Sequence, residues 1–278
     1  MLLSIQGLTQ VKAIELEKLF GDEDLLCLTE TQQKYEKINF SKDVKYVTSM
    51  RDTKEKKGGG LMILCKKNNI ELQKIDGPHS DILIMQCKIY NFEFRIILVY
   101  MSVSDVNGNK VLLQYIQKQI HNSTNYVILG DFNGHTGFLG PHIANKNGDI
   151  MMELIDDNNL ILLNGHADCT GEITWQQRDR KSTIDYIIVD TEMHTKLKNT
   201  EIDEQKEEFD LSDHNMLTAK FRLEVGNEKS FTNKDHNKIT YVKINEETSN
   251  QFLEHVKIKL SDITTLKDHE NIINDAKQ

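Results

Sequence analysis

The side chains best suited to chemistry lie where short apolar runs end. In Tyr126-Val-Ile-Leu-Gly-Asp131-Phe-Asn133-Gly-His-Thr-Gly137 an apolar run leads straight into a carboxylate, a carboxamide and several glycines. Alternate residues of a strand share a face, so Asp131 can orient or deprotonate water while Asn133 donates to a phosphate oxygen. The same stretch also suits a strand closing in an Asx turn. In Asp210-Leu-Ser212-Asp213-His214-Asn-Met-Leu a histidine stands beside an aspartate ahead of another apolar run. His214 can change protonation near neutrality, and it needs a carboxylate partner to fix its tautomer. Ser212 and Asp213 equally fit an ordinary polar loop.

A third group lies between Thr174 and Val189. Asp185 is the polar exception in the apolar run from Ile184 to Val189, where a carboxylate costs free energy unless it is paired, as with a histidine. Arg178, Arg180 and Lys181 follow Trp175, the only tryptophan, and resemble a phosphate-contacting loop with an aromatic for packing or stacking. A solvated hairpin tip with Trp175 in the core is the other reading. Glu30 ends the run Leu25-Leu-Cys-Leu-Thr and can hold magnesium, which takes hard oxygen ligands and often only one or two carboxylates. Tyr100 ends Ile96-Ile-Leu-Val and can donate to a phosphate or cover a strand end. Lys54, Lys56, Lys57, Lys66 and Lys67 flank Gly58-Gly-Gly60; Asp52 and Glu55 dilute their charge, so a solvated hairpin loop is the favoured reading over a phosphate-contacting edge.

These residues must be held by a strand-rich frame. Apolar runs predict strands at Leu2 to Ile5, Leu25 to Leu28, Tyr46 to Ser49, Gly60 to Cys65, Ile82 to Ile89, Phe92 to Tyr100, Tyr126 to Leu129, Ile184 to Val189 and Met216 to Leu223. Thr9 can cap a helix with the stripe Val11, Ile14, Leu16 and Leu19, ending near Gly21; further helices are predicted at Val111 to Ile120 and Ile150 to Asp157. Tyr90-Asn91 joins two runs as an antiparallel hairpin, which argues against a purely parallel sheet. Many strands, few helices and a hairpin favour an α/β fold of two packed mixed sheets with helices outside.

The 278 residues are 38% hydrophobic, enough for one large domain or a domain with an appendage. Basic residues number 34 against 43 acidic, a formal net charge of -9, which excludes a highly basic nucleic-acid coat. An enzyme acting on nucleic acid is still compatible, because carboxylates gathered for a cation make a chain acidic while a local basic rim touches phosphates. Cys27, Cys65, Cys87 and Cys169 form no CxxC pair, so neither a zinc site nor a disulfide framework is expected and a reducing compartment fits. The first residues lack the basic start of a signal peptide, and no apolar run approaches roughly 18 residues. After Leu223 the chain turns polar, and Phe252, Val256, Ile258 and Leu260 mark an isolated helix beyond a linker. The expected division is a folded domain over 1–225 and a linker with helix over 226–278.

In this order, Glu30, Tyr100, Gly130-Asp-Phe-Asn133, Ile184-Asp185-Tyr and Ser212-Asp213-His214 resemble the endonuclease/exonuclease/phosphatase superfamily, from about Leu2 to about Leu223. Gly-Asp-Phe-Asn-Gly-His-Thr-Gly and Leu-Ser-Asp-His-Asn are similar to the endonuclease domain of LINE-type (non-LTR) retrotransposon proteins, in which a reverse transcriptase follows. The resemblance implies a four-layer, deoxyribonuclease-like sandwich, a divalent ion, usually magnesium with manganese as a substitute, and hydrolysis of DNA phosphodiesters by in-line attack of water. It implies Glu30 as metal ligand with Asp213 supporting the site, Asp131 as the water-orienting carboxylate, Asn133 and Tyr100 as phosphate-positioning groups, and Asp185 with His214 as a hydrogen-bonded pair. It also implies nuclear action, with the cytoplasm as alternative. Ser4 and Gln6 depart from the pattern, standing where relatives usually carry Asn and then Asn or Asp; loss of such an outer partner commonly weakens metal binding about 10 to 100-fold. Met101-Ser102 replaces a common small residue and proline. The alternatives are a phosphatase of the same superfamily and a decayed nucleic-acid-binding remnant.

Overall fold

The structure is a computed structural model and describes residues 1–21, 24–33, 38–50, 58–66, 70–77, 79–121 and 125–223. Lys54, Lys56, Lys57 and Lys67, and the linker and helix expected over 226–278, lie outside the described residues.

The described chain runs β1 (Leu2–Ser4), α1 (Gln10–Leu19), β2 (Leu25–Thr29), β3 (Val44–Ser49), β4 (Leu61–Lys66), β5 (Ile70–Ile75), β6 (Ile82–Ile89), β7 (Phe92–Tyr100), α2 (Val106–Ile120) and β8 (Tyr126–Asp131). It continues through α3 (Lys146–Asp157), β9 (Ile161–Leu162), β10 (Cys169–Thr170), β11 (Trp175–Gln177), β12 (Arg180–Ser182), β13 (Asp185–Val189), α4 (Thr191–His194), β14 (Leu197–Ile202) and β15 (Leu217–Phe221). One sheet has the order β10-β14-β15-β1-β2-β4-β3 and the other β5-β6-β7-β8-β13-β9, with β11 and β12 forming a separate ribbon. Both large sheets are mixed: β1 runs parallel to β2, and β7 to β8, amid antiparallel neighbours. The hairpin expected at Tyr90-Asn91 joins β6 to β7.

Strand parity builds the layers. Leu2 and Cys27 of the first sheet meet Ile96, Leu98, Val127, Leu129 and Ile187 of the second in a core between the sheets. Their neighbours Leu3, Leu26 and Leu28 turn outward onto Ala13, Leu16 and Phe20. Ile97, Val99, Ile128 and Ile188 turn the other way, beneath Leu112 and Ile116 of α2 and Met151 and Leu154 of α3. The result is four layers, helix, sheet, sheet, helices, as expected. Because central strands are covered on both faces, they read as continuous apolar runs rather than as alternation.

Thr9 caps α1 by accepting from the Lys12 amide at 3.3 Å. The stripe expected on α1 is corrected in part: Leu16 is buried as expected, but Val11 and Ile14 are 65% and 50% exposed and Ala13 is buried in their place. Val11 and Ile14 fall on a different helical face from the small Ala13, which allows the closer approach to the sheet. The edge strand β5 and the strand β14 carry polar residues on their open faces, and β9 to β12 are only two or three residues long, so no periodicity announces them. Helices α2 and α3 start earlier than their apolar stripes suggest, at polar first turns capped by Asp105 and Asn145.

Cys27, Cys65 and Cys87 lie in the core between the sheets, and all four cysteines are free thiols. Burial pushes the Cys27 thiol up to about 11 and raises Cys65, Cys87 and the half-buried Cys169 as well. A thiolate-selective reagent at pH 8 is therefore expected to label native protein slowly and only at Cys169, with the other three reacting on unfolding. Rapid titration of two or more thiols in the native state would contradict this packing. No helix among the described residues is long and apolar enough to cross a membrane.

Candidate active site

Register brings the chemical groups together. Parallel pairing of β7 with β8 sets Tyr100 opposite Asp131, and antiparallel pairing of β8 with β13 sets Asp131 opposite Asp185. The three side chains thus form one row across adjacent strands. They share the parity of Leu98, Leu129 and Ile187, so the row points between the sheets. From the first sheet, β1 and β2 run out in parallel into Gln6 and Glu30. Both leave their strands through positive φ, 48° and 52°, as does Asn133 at 46°. Left-handed backbone at non-glycine residues costs of order 1–3 kcal/mol and tends to cluster at functional sites.

The Asp-His pair expected from the sequence forms. His214 Nδ1 lies 2.8 Å from Asp185 Oδ2, with side-chain exposures of 4% and 2%. A carboxylate acceptor places a proton on Nδ1. Burial alone would depress His214, but the charge of Asp185 and its hydrogen bond override this and hold the imidazole at about 9. Ser212 is no ordinary loop residue: its hydroxyl donates to the Ser4 carbonyl at 2.6 Å and accepts from the His214 amide at 3.1 Å. The Lys206 ammonium donates to the Ser212 carbonyl from the other side. This staple fixes His214 to β1.

Asp213 Oδ2 accepts from Gln6 Nε2 at 2.8 Å and from Trp175 Nε1 at 2.9 Å, while its buried Oδ1 makes no hydrogen bond. Trp175 is therefore neither a free stacking platform nor a purely apolar core residue but a buttress for Asp213. Glu30 accepts a hydrogen bond from Tyr100. Gly58 covers both, at φ +102°, and a Cβ there would lie 2.7 Å from the Tyr100 hydroxyl and 3.0 Å from Glu30 Oε1. Gly59 and Gly60 accept from the Gln32 and Thr31 amides, both at 3.0 Å, so the glycine triplet lies against the site instead of forming a solvated loop.

Burial raises Glu30, with Asp185 and Asp213 adding to it against Tyr100 and His214. Burial and then Asp185 push Asp131 well above the usual carboxylate range. Carboxylates that repel one another this closely are a chemical fit for a divalent cation. Asp131, Asp185 and His214 have donor atoms within 4.8 Å of one another. His214 Nδ1 is already spent on Asp185, however, so the better seat is on the Glu30 and Asp213 side, where the buried Asp213 Oδ1 makes no hydrogen bond and lies 4.0 Å from His214 Nε2. Ser4 Oγ is likewise buried and unpartnered.

The Asn133 backbone amide donates to Asp131 Oδ1 at 3.1 Å and its side chain gives one Nδ2 hydrogen to the Met101 carbonyl at 2.9 Å, leaving a second. Sequence reasoning missed what holds it. Asn147 Nδ2 donates to the Phe132 carbonyl at 3.2 Å, Asn109 Nδ2 to Asn147 Oδ1 at 3.0 Å, and Asn145 Nδ2 to the Asn133 carbonyl at 3.1 Å. The N-cap pattern Asn145-Lys-Asn147-Gly148 was the available signal. Behind Asp185, Thr174 Oγ1 accepts its amide at 3.0 Å and Asn164 Nδ2 donates to its carbonyl at 3.0 Å. Arg178, Arg180 and Lys181 are exposed on the β11–β12 ribbon and do not enter the row of Tyr100, Asp131 and Asp185; Arg178 turns the ribbon at φ 55°.

The fold is that of the endonuclease/exonuclease/phosphatase superfamily, and the chain matches the endonuclease–reverse transcriptase family over residues 94–218. Among solved structures it is similar to the endonuclease domain of TRAS1, a telomere-specific non-LTR retrotransposon, at 16% identity and a TM-score of 0.63, covering 80% of this chain and 96% of that one. It is also similar to the 3'-5' exonuclease NExo of Neisseria meningitidis, at 18% identity, a TM-score of 0.61 and coverage of 80% and 98%. The AP endonuclease LMAP of Leishmania major matches at 12% identity and a TM-score of 0.62, covering 80% and 87%. No curated protein matches by sequence. The resemblance read from the sequence and the two-sheet architecture are both borne out.

Proposed function

We propose that this chain is a magnesium-dependent endonuclease that nicks one strand of duplex DNA and leaves a 3' hydroxyl. The observation that carries this is the row of Tyr100, Asp131 and Asp185 facing, across the sheets, a histidine locked onto Asp185. Such a row offers separate groups for water, phosphate and charge, which is what in-line hydrolysis needs. Asp131 orients the attacking water. Asn133, through its free amide hydrogen, and Tyr100 position the phosphate. His214, anchored through Nδ1, keeps Nε2 for the charge that builds on phosphorus. The oxygen of water joins phosphorus as the bond to O3' breaks, giving a 5' phosphate and a 3' hydroxyl.

Glu30 and Asp213 would hold the metal, with Ser4 reaching it through water and Gln6 bracing Asp213; when bound, the ion polarises phosphate oxygens and neutralises developing charge. Manganese suits the same oxygen donors. Arg178, Arg180 and Lys181 contact DNA phosphates from their ribbon. The endonuclease–reverse transcriptase family match supports a setting in which the nick primes a reverse transcriptase in the nucleus.

The test is purified chain with supercoiled plasmid and magnesium. Open circles that form with magnesium and not with EDTA are expected. Release of inorganic phosphate from a 3'-phosphorylated oligonucleotide without nicking would replace this reading with a phosphatase. Binding of DNA indifferent to EDTA, with no nicking even in manganese, would replace it with a binding remnant.

A further inference from the structure

We propose that Lys12 is a positioning residue for the metal seat, holding in place, through the bend at Gln6, the two carboxylates assigned to the ion, Glu30 and Asp213. The inference rests on the endonuclease reading and adds how this chain keeps its site in order where Ser4 and Gln6 depart from the family pattern. Lys12 lies in the first turn of α1, three residues after the N-cap Thr9. Helices favour Glu or Gln there, because such a side chain reaches back to the cap, and they disfavour a cation at the positive end of the helix dipole. The first turn of α1 has no acidic residue and carries this lysine instead. A cation placed where its own helix disfavours it serves something outside the helix.

What it serves is the end of β1. Lys12 Nζ donates to the Ile5 carbonyl at 2.6 Å and reaches the Gln6 carbonyl at 3.5 Å. Gln6 and Gly7 both take positive φ, 48° and 86°, so the chain bends here through two successive left-handed residues. A bend of that kind keeps its shape only when its surroundings hold it. The same bend carries both carboxylates. Gln6 Nε2 donates to Asp213 Oδ2 at 2.8 Å, and the Gly7 amide donates to the Glu30 carbonyl at 2.7 Å. One clamp on the bend therefore fixes where each of them stands.

The chemistry of the clamp suits the task. A hydrogen bond from an ammonium to a carbonyl is charge-assisted and stronger than a neutral one. Burial lowers the Lys12 ammonium and the charge of Asp213 opposes this, so the lysine and the carboxylate also act on each other through space. With the Gln6 amide spent on Asp213 Oδ2, the carboxylate is oriented, and Oδ1, which makes no hydrogen bond, is the atom left for a cation. A loose bend would let that carboxylate rotate. Groups that orient the ligands of a metal are commonly worth about 10 to 100-fold in its affinity. A plain tie between α1 and β1 would use the same two carbonyls and leave metal affinity untouched.

The test uses the whole chain and terbium, a hard trivalent cation that takes oxygen seats and luminesces when a nearby tryptophan is excited. Trp175 is the only tryptophan and its Nε1 lies 2.9 Å from Asp213 Oδ2, so emission reports this seat. Wild type should give emission that magnesium displaces. Lys12→Met keeps the aliphatic stem without the donor and should bind terbium about tenfold more weakly with unchanged circular dichroism. Lys12→Arg, which still donates, should stay within about twofold of wild type. In Lys12→Met, half-maximal plasmid nicking should move to about tenfold more magnesium while the rate at saturation holds. Gln6→Ala should weaken terbium binding similarly, and Lys12→Met added to it should weaken it by no more than about a further threefold, since both act along one path. Losses that multiply in full, or a Lys12→Met protein that binds terbium as wild type does or more tightly, would overturn the role of Lys12 and leave the endonuclease reading standing. If wild type gives no emission that magnesium displaces, the metal seat falls, and the magnesium-dependent reading and this inference fall with it.

Discussion

Asp131→Asn is expected to slow plasmid nicking by roughly 10³-fold or more while leaving the protein folded and no less stable. The carboxylate sits 2% exposed in a row with Asp185 and close enough to Glu30 to be pushed upward by both. Removing its charge relieves that repulsion, and the isosteric amide still accepts the Asn133 amide at its oxygen. Stability and activity thus move in opposite directions, as expected where a site holds unfavourable charge for its chemistry. His214→Ala should be equally slow but carries a different signature. It strips Asp185 of its partner in a buried place, and breaking a buried pair from one side costs about 3–5 kcal/mol. The double variant should nick no more slowly than the worse single one, since groups acting on one transition state are not additive. Nicking rates with thermal melts of all three proteins decide the matter. An Asp131→Asn protein that nicks at the parental rate removes Asp131 from the mechanism.

How far the sequence disclosed this site follows from what positions each residue. Asp131, Asp185 and Tyr100 end or begin central strands buried on both faces, so a polar residue there stood out against an apolar run, and the two-sheet fold followed from the same runs. Asp185 and His214 are 29 residues apart, yet their pairing was legible because a buried carboxylate needs a partner. The supporting groups were not legible. Trp175, Ser212, Asn109 and Asn164 act through contacts between segments distant in sequence, and nothing in their own neighbourhoods marks a tertiary hydrogen bond. Gln6 shows the middle case. Its departure from the family pattern was visible, but not that its amide would reach across to Asp213. A carboxamide there donates to the carboxylate, whereas a carboxylate would have joined it as a second anion.

Gly130→Ala is expected to destabilise the protein by more than about 4 kcal/mol, enough to prevent folding in a domain of ordinary stability. Gly130 pairs with Val99 on one side and Tyr186 on the other, at the point where β8 delivers Asp131. A Cβ at Gly130 would lie 1.9 Å from the Val99 carbonyl oxygen and 2.9 Å from the Val99 nitrogen, and its φ of +154° disfavours a side chain besides. Both clashing atoms are backbone, so no rotamer change relieves the overlap. Only separation of β7 from β8 does, and that breaks the register that sets Tyr100 beside Asp131. Gly21→Ala is the contrasting control: the nearest atom is Asp24 Oδ2 at 3.3 Å, and the change should stay within about 1 kcal/mol. Urea melts of the two variants beside wild type make the comparison. A Gly130→Ala protein with the parental midpoint would mean that β7 and β8 do not approach as closely as their pairing requires, and the placement of Tyr100, Asp131 and Asp185 in one line would have to be given up with it.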